Sequence, residues 1–225
     1  MRLGLLSRIS VRNTALSTLL EDGPLARRDI AETISAADKL LETTQNPRHR
    51  AILENYRRHA ILEICGEWEA IFAPDMMVEE PVYYFSITGF DGVVVDGADG
   101  VKGVYRNLAE TQTCGMLVEN EHLWVDDWGF ASDSNFVTYQ RGHNLIEKGF
   151  EVDDPSGYYR EIQQFVMVWP HDERARLIGE RVYEDKPLHR IERISREDFI
   201  TLDDARARLL PLLRPLPELV STATP

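Results

Sequence analysis

The chain has 225 residues, 43% of them hydrophobic, and a formal net charge of −13 at pH 7. That length makes one domain of ordinary size with an added segment, or two small ones, and the apolar share excludes wholesale disorder. The acidic balance speaks against nucleic acid and membrane surfaces as partners, since both need a basic footprint.

Two cysteines, Cys65 and Cys114, are too few for a disulfide framework, and Cys65 falls on an apolar helical face as a buried thiol. There is no CxxC or HExxH, and the six histidines are scattered, so no metal is expected. Arg2 and the apolar residues 3–6 are interrupted at once by a polar segment, and no run approaches the ~20 apolar residues of a membrane span. The reading is a reduced, cytoplasmic protein.

In chain order, residues 1–45 form a helical lead-in. Asp22-Gly23-Pro24 marks a break, and 25–41 is an amphipathic helix with Ile30, Ile34, Ala37 and Leu41 on one side, covering an apolar surface. Asn46 caps the next helix, with Pro47 in its first turn. Over 51–72, residues Ile52, Tyr56, Ile61, Ile64, Cys65, Trp68, Ile71 and Phe72 make one wide stripe, which leaves His59 among the charged residues of the solvated face. Residues 76–87 read as a strand in which Pro81 implies an edge or a bulge. The Gly- and Asp-rich stretch 89–100 reads as a turn, since its GxxxDG spacing lacks a calcium loop's ligand series. Residues 101–111 form a short helix with Val104, Tyr105 and Leu108 inward.

The remainder is strand-rich. A strand over 116–130 is followed by a polar hairpin turn at 131–135, and 136–148 pairs back. Strands over 158–169 and 175–184 follow, joined by a turn at 170–173. Thr201 caps a tail helix at 205–213, and 221–225 are expected to be mobile. Helices first, then long strands on short turns, imply an α+β domain with an antiparallel sheet.

The stretch 122–130 draws most attention. One face of such a strand carries His122, Trp124, Asp126, Trp128 and Phe130, and the other Leu123, Val125 and Asp127. An acid between tryptophans suits a pocket wall, so Asp126 leads as the proton-transferring group, with Trp124 and Trp128 against the substrate. The alternative is a strand near an edge, with Asp126 reaching water past the rings. His143 shares a strand face with Tyr139, Arg141 and Leu145 and could protonate a substrate oxygen, or simply be a packed histidine. Glu180 lies with Ile178 and Val182, so its carboxylate needs a function or an arginine from an adjacent strand. Tyr83 could bring a hydroxyl into the interior. Phe165 and Trp169, with Gln163, continue the apolar wall, and Trp68 adds to it; His171, in a turn, is placed in solvent.

The order of these elements carries a resemblance. A helix ending in "EWEAIFAPD", a strand "MMVEEPVYYF", a helix after "GVKGVYRNL" and the later "WPHDERARLIGERVYED" resemble the nuclear transport factor 2-like superfamily, and within it SnoaL-like proteins. The resemblance covers 47–187 and divides the chain into an extension (1–45), the main domain (46–187) and a tail (188–225). It implies a cone-shaped α+β barrel, a curved antiparallel sheet wrapped around helices with Trp68 and Phe72 buried against it. It further implies an acid–base enzyme that uses no metal or organic cofactor, of cyclase, isomerase, dehydratase or hydrolase type, acting on a mostly apolar polycyclic or terpenoid-like small molecule. The alternative is a non-catalytic binding or subunit-association module. A homodimer through the outer sheet face is also implied, and Val166 and Val168 opposite Phe165, Met167 and Trp169 leave the sheet apolar on both sides.

Overall fold

The computed structural model describes residues 28–217; the expected break at Asp22-Gly23-Pro24 and the end of the chain at 221–225 lie outside them. Asp29 caps a 3-10 turn, Ile30–Ile34, that continues into α1 (Ser35–Thr43). Ile30, Ile34, Ala37 and Leu41 are all buried, as their spacing requires. Asn46 caps α2 (Pro47–Ile64), its side chain accepting from the backbone N–H of Arg48 and His49.

Helix α2 stops earlier than its apolar stripe suggests. Gly66 adopts φ +70°, and the N–H groups of Gly66 and Glu67 return to Glu63 O and Leu62 O, closing the helix. A separate 3-10 turn, Trp68–Phe72, follows. Trp68 and Phe72 are therefore half-buried at its flank, and not buried against the sheet.

Two strands, β1 (Met77–Ile87) and β2 (Phe90–Asp96), form a hairpin, so part of the supposed turn at 89–100 is a strand. Its residues are mostly exposed and carry little apolar signal. Helix α3 (Ala98–Glu110) packs on β1 and turns Val101 and Tyr105 inward. The long strands β3 (Met116–Asp126), β4 (Gly129–Arg141), β5 (Tyr158–Pro170) and β6 (Leu177–Glu184) then pair antiparallel in succession.

The β3–β4 hairpin reverses at Asp126–Gly129, and not at 131–135. Gly129 has φ +144°, and a Cβ there would lie 2.1 Å from Trp169 O, so only glycine fits the turn. The run 131–135 is instead strand: Ser132 and Ser134 are fully buried, while Asp133 and Asn135 alternate with them. Strand β4 ends at Arg141, where α4 (Gly142–Glu147) begins. A strand that the sequence did not reveal, β7 (Arg190–Ile194), pairs with β5. Helix α5 (Leu202–Leu209) starts from a capping box between Thr201 and Asp204.

The sheet order is β2-β1-β6-β5-β4-β3, with β7 beside β5. Strand β1 runs parallel to β6 and is interior to the sheet, not an edge. The register against β6 jumps between Met77 and Val82, so Pro81, which has no N–H to give, falls in the irregular part. Gly179 sits against this segment, where a Cβ would come 2.0 Å from Val82 O.

Register places Tyr83, Phe85, Glu180, Val182, Phe165, Met167, Trp169, Phe130, Ser132, Ser134, Leu123 and Val125 on one face. Helix α2 lies against it: the Tyr56 ring is 4.6 Å from Phe130 and 5.6 Å from Trp169. Asn55 Nδ2 pins the starts of β1 and β6 by donating to Met76 O and Ala175 O. Ile30 and Ile34, with Ile200, Ala205 and Leu209 of the neighbouring α5 segment, join the same core. The result is a curved, unclosed sheet around a helix, the cone-shaped α+β arrangement. No helix among the described residues is long and apolar enough to cross a membrane.

Candidate active site

Glu180 lies at the centre of the concave face, opposite Tyr83 and only 7% exposed. Strand alternation slips at Gly179, so Glu180 shares the inward side with Val182 while Ile178 is exposed. The arginine pair considered for Glu180 is not made; its neighbours are rings. Tyr105 OH donates to Glu180 Oε1 at 3.1 Å and lies 2.8 Å from both Tyr83 OH and His59 Nε2. His59 Nε2 is also 3.7 Å from Glu180 Oε1 and 3.5 Å from Glu63 Oε2.

Burial raises the Glu180 carboxyl well above the carboxylate range, and the charge of Glu63 pushes the same way. Hydrogen bonds from Tyr83 and Tyr105 oppose the shift without cancelling it. Burial thus favours the protonated form of Glu180, which is held by phenols whose own ionisation burial suppresses. One proton order satisfies all three contacts of Tyr105: it donates to Glu180 and accepts from Tyr83 O–H and His59 Nε2–H. In this order the Tyr105 oxygen joins Glu180, Tyr83 and His59 in one hydrogen-bonded network.

A second carboxyl faces the interior from β3. Glu121 Oε1 accepts from Tyr56 OH at 2.5 Å, and its Oε2 is shielded from solvent without a partner. Burial, partly offset by the Tyr56 bond, pushes Glu121 up to about 7. Burial, and next the charge of Glu121, raise the Tyr56 phenol well above its ordinary value. Nearby, Ser132 Oγ, Ser134 Oγ, Trp169 Nε1 and His59 Nδ1 are buried and lack partners among the described residues. Buried polar atoms of this kind call for a bound molecule or water.

Of the residues singled out by sequence, Glu180, Tyr83, Phe165 and Trp169 meet on the concave face. Asp126 does not. It is exposed at the end of β3, with Trp124 59% and Trp128 45% exposed, and His122 stacked on Trp124. His122, Trp124 and Asp126 point outward because register turns Leu123 and Val125 inward, and the turn at Asp127-Trp128 puts Phe130 on the inward face. The pocket wall expected of Trp124, Asp126 and Trp128 is therefore a solvent face. His143 is exposed in the first turn of α4, away from the concave face. Trp68 is half-buried, edge-on to Phe72 and beneath Arg106, one ring removed from Tyr105. His171 is buried, not in solvent: its Nδ1–H donates to Trp169 O at 3.0 Å, and burial lowers it to about 4.

Sequence reasoning missed His59, Glu63, Tyr105 as a polar partner, and Glu121. The positions 52, 56, 59 and 63 are spaced by four, three and four, so His59 and Glu63 continue the Ile52–Tyr56 stripe. Glu121 extends the alternation of Leu123 and Val125. As for metal ligands, His49, Asp126 and Asp127 bring ligand atoms within 4.8 Å of one another, but His49 Nε2 already pairs with Asp127 Oδ1 at 2.9 Å.

No protein-family model matches the chain, and no curated protein does. It is similar to the solved structure of an NTF2-like protein from Anabaena variabilis, at 12% identity over 63% of this chain and 92% of that one (TM-score 0.45). A protein named as a SnoaL-like polyketide cyclase from Jannaschia has 12% identity over 64% and 92% (TM-score 0.45). The epoxide hydrolase/cyclase-like enzyme SalBIII, of pyran ring formation in salinomycin, has 13% identity over 65% and 95% (TM-score 0.40).

Proposed function

We propose that the chain is a cofactor-independent acid–base enzyme acting on a mostly apolar polycyclic or terpenoid-like molecule held in the cone. The reaction type, in this reading, is that of a cyclase, isomerase, dehydratase or hydrolase. The observation that carries it is Glu180: a carboxyl buried with no arginine or lysine partner among the described residues, its proton favoured by burial, and hydrogen-bonded through Tyr105 to His59. A buried acid of this kind donates a proton to a substrate oxygen without first losing it to water. Glu121, at about 7, is poised to take a proton at neutral pH. Trp169 and Phe165 form the apolar wall, and Tyr83 and Tyr105 steady the acid. Asp126 and His143 take no part in this reading.

The test is proton exchange. Wild-type chain is incubated in heavy water with a panel of polycyclic and terpenoid ketones and epoxides, and products and deuterium incorporation are followed by NMR. Turnover or exchange with the wild type, lost in Glu180→Gln, is the expected result. Ligands that bind without exchange or turnover would leave the non-catalytic binding module as the function.

The same reading includes a homodimer through the outer face of the sheet, in a reducing, cytoplasmic setting that suits two buried free thiols. Val94, Tyr84, Tyr183 and Val166 are exposed on one face of β2, β1, β6 and β5, with Arg181 over the Tyr84 ring between them. Val166→Lys should convert a dimeric mass in solution to a monomeric one; a wild type that is monomeric at micromolar concentration would remove the dimer from the reading.

A further inference from the structure

A groove of about 310 Å³ lies where β4 meets α4, at the start of α5. Its β4 residues, Tyr139 and Arg141, belong to the face opposite Phe130, Ser132 and Ser134, so the groove is separate from the cone interior. Arg141 stacks on the Tyr158 ring, 4.2 Å from its centroid, and Nη2 donates to Ser156 O at 2.5 Å. Those contacts fix the guanidinium plane and leave most of its five donors unused. The Nε is shielded and without a partner.

The arginines of this chain fall into two groups, and Arg141, with Arg48, Arg50, Arg58 and Arg181, belongs to the one without a carboxylate partner among the described residues. Arg57, Arg160, Arg176, Arg193, Arg208 and Arg214 each hold a carboxylate. Arg141 has none among the described residues, in a chain of net charge −13. His143 and Asn144 line the same groove, and their side chains also have no hydrogen-bond partner among the described residues. The remaining wall is mixed: Thr111, Gln112 and Thr201 contribute polar groups, and Ile200, Leu202 and Phe199, the last set edge-on to Tyr139 at 5.9 Å, contribute apolar surface.

We propose that this groove binds a small organic acid, with its carboxylate on Arg141, His143 and Asn144 and a compact apolar body against Phe199 and Tyr139. A planar guanidinium fork held by stacking matches a carboxylate through paired N–H donors. The volume is at the lower end of ligand pockets, roughly 300 Å³ upward, which suits a single-ring acid. The site stands whether or not the cone is catalytic.

The test is titration of the full, isotope-labelled chain with benzoate, acetate and inorganic phosphate, read by amide chemical shifts. Benzoate should saturate below about 10 mM, shift residues at Arg141, His143, Asn144 and Phe199, and bind more tightly than acetate. Arg141→Gln should weaken benzoate by about tenfold, the worth of a charge-assisted hydrogen bond. His143→Ala, an exposed position without partners, should weaken it by a smaller factor with the spectrum otherwise unchanged; it tests the site even if Arg141→Gln folds poorly. Shifts confined to cone residues, or no saturation with benzoate, overturn the proposal. So does benzoate binding that both variants leave unchanged. Phosphate binding at these residues in preference to benzoate overturns the assignment to an organic acid.

Discussion

The two faces of β3 carry similar side chains in opposite circumstances. Outward, Asp126 lies beyond Trp124 and close to Trp128, and all three are exposed. Inward, Glu121 alternates with Leu123 and Val125, bonds Tyr56, and is pushed up to about 7 by burial. An acid near aromatic rings is therefore not a pocket in itself. What separates the two faces is long-range: Tyr56 on α2 reaches Glu121 across 65 residues, and β4 pairs Phe130 with Trp169 of β5. Strand alternation sorts residues into two sets, while packing partners decide which set is inside.

The largest expected contrast is in turnover. Glu180→Gln keeps the shape and removes the acid, and should lower turnover by ~10²–10⁴. Asp126→Asn should leave turnover as it is. The reverse pattern, measured on one substrate, would restore the outer face as the catalytic one and end the assignment of Glu180.

Stability should divide the faces in the same way. Trp169, 4% exposed and packed on Phe130, Tyr56 and His59, should cost about 3–5 kcal/mol when replaced by alanine. Denaturant melts read this directly. A loss near that of a surface site would mean that the concave face is not the core.

The pH dependence sharpens the comparison. The folded carboxyl of Glu121 titrates at about 7, above its ordinary 4.5, because burial penalises its charge. The folded state thus holds this proton more tightly than the unfolded chain. The stability it lends is complete below pH 4.5 and is lost as pH rises through 7. Glu121→Gln stays neutral throughout, so relative to wild type it should gain stability between acid and mildly alkaline pH, by at most about 3 kcal/mol. Melts of both proteins across that window that run parallel would show that Glu121 is not buried as described.

How much of this was legible follows from the same contrast. Where one periodicity governs a whole element, the residues suffice: Ile30, Ile34, Ala37 and Leu41 share a buried side, and Thr201 caps α5. The order of helices and long strands gave the cone. What failed were positions where a polar residue is buried or a turn is set by a single glycine. Ser132 and Ser134 look like turn residues but lie inside, because Gly129 alone can make the close approach to Trp169 O. His59 looks like a solvated-face residue, yet it follows Tyr56 of the stripe by three and precedes the charged Glu63 by four, so the stripe continues through polar residues. Half of the proposed site was visible as Glu180 and Tyr83; the half contributed by α2 and α3 required knowing which helices fill the sheet.

The smallest expected effect falls on Trp124, and it is informative because it is small. At 59% exposure, with its ring stacked only on His122, it has little packing to lose. Trp124→Ser should change stability by no more than about 0.5 kcal/mol. Strand β3 is at the opposite end of the sheet path from β2 and β1, so the substitution should also leave a dimer built on Tyr84, Tyr183 and Val166 intact. A markedly larger loss at low protein concentration than at high would mean that a second copy covers Trp124. The association surface would then lie on the β3 side of the sheet, and Val166→Lys, tested beside it, should leave the oligomer unchanged.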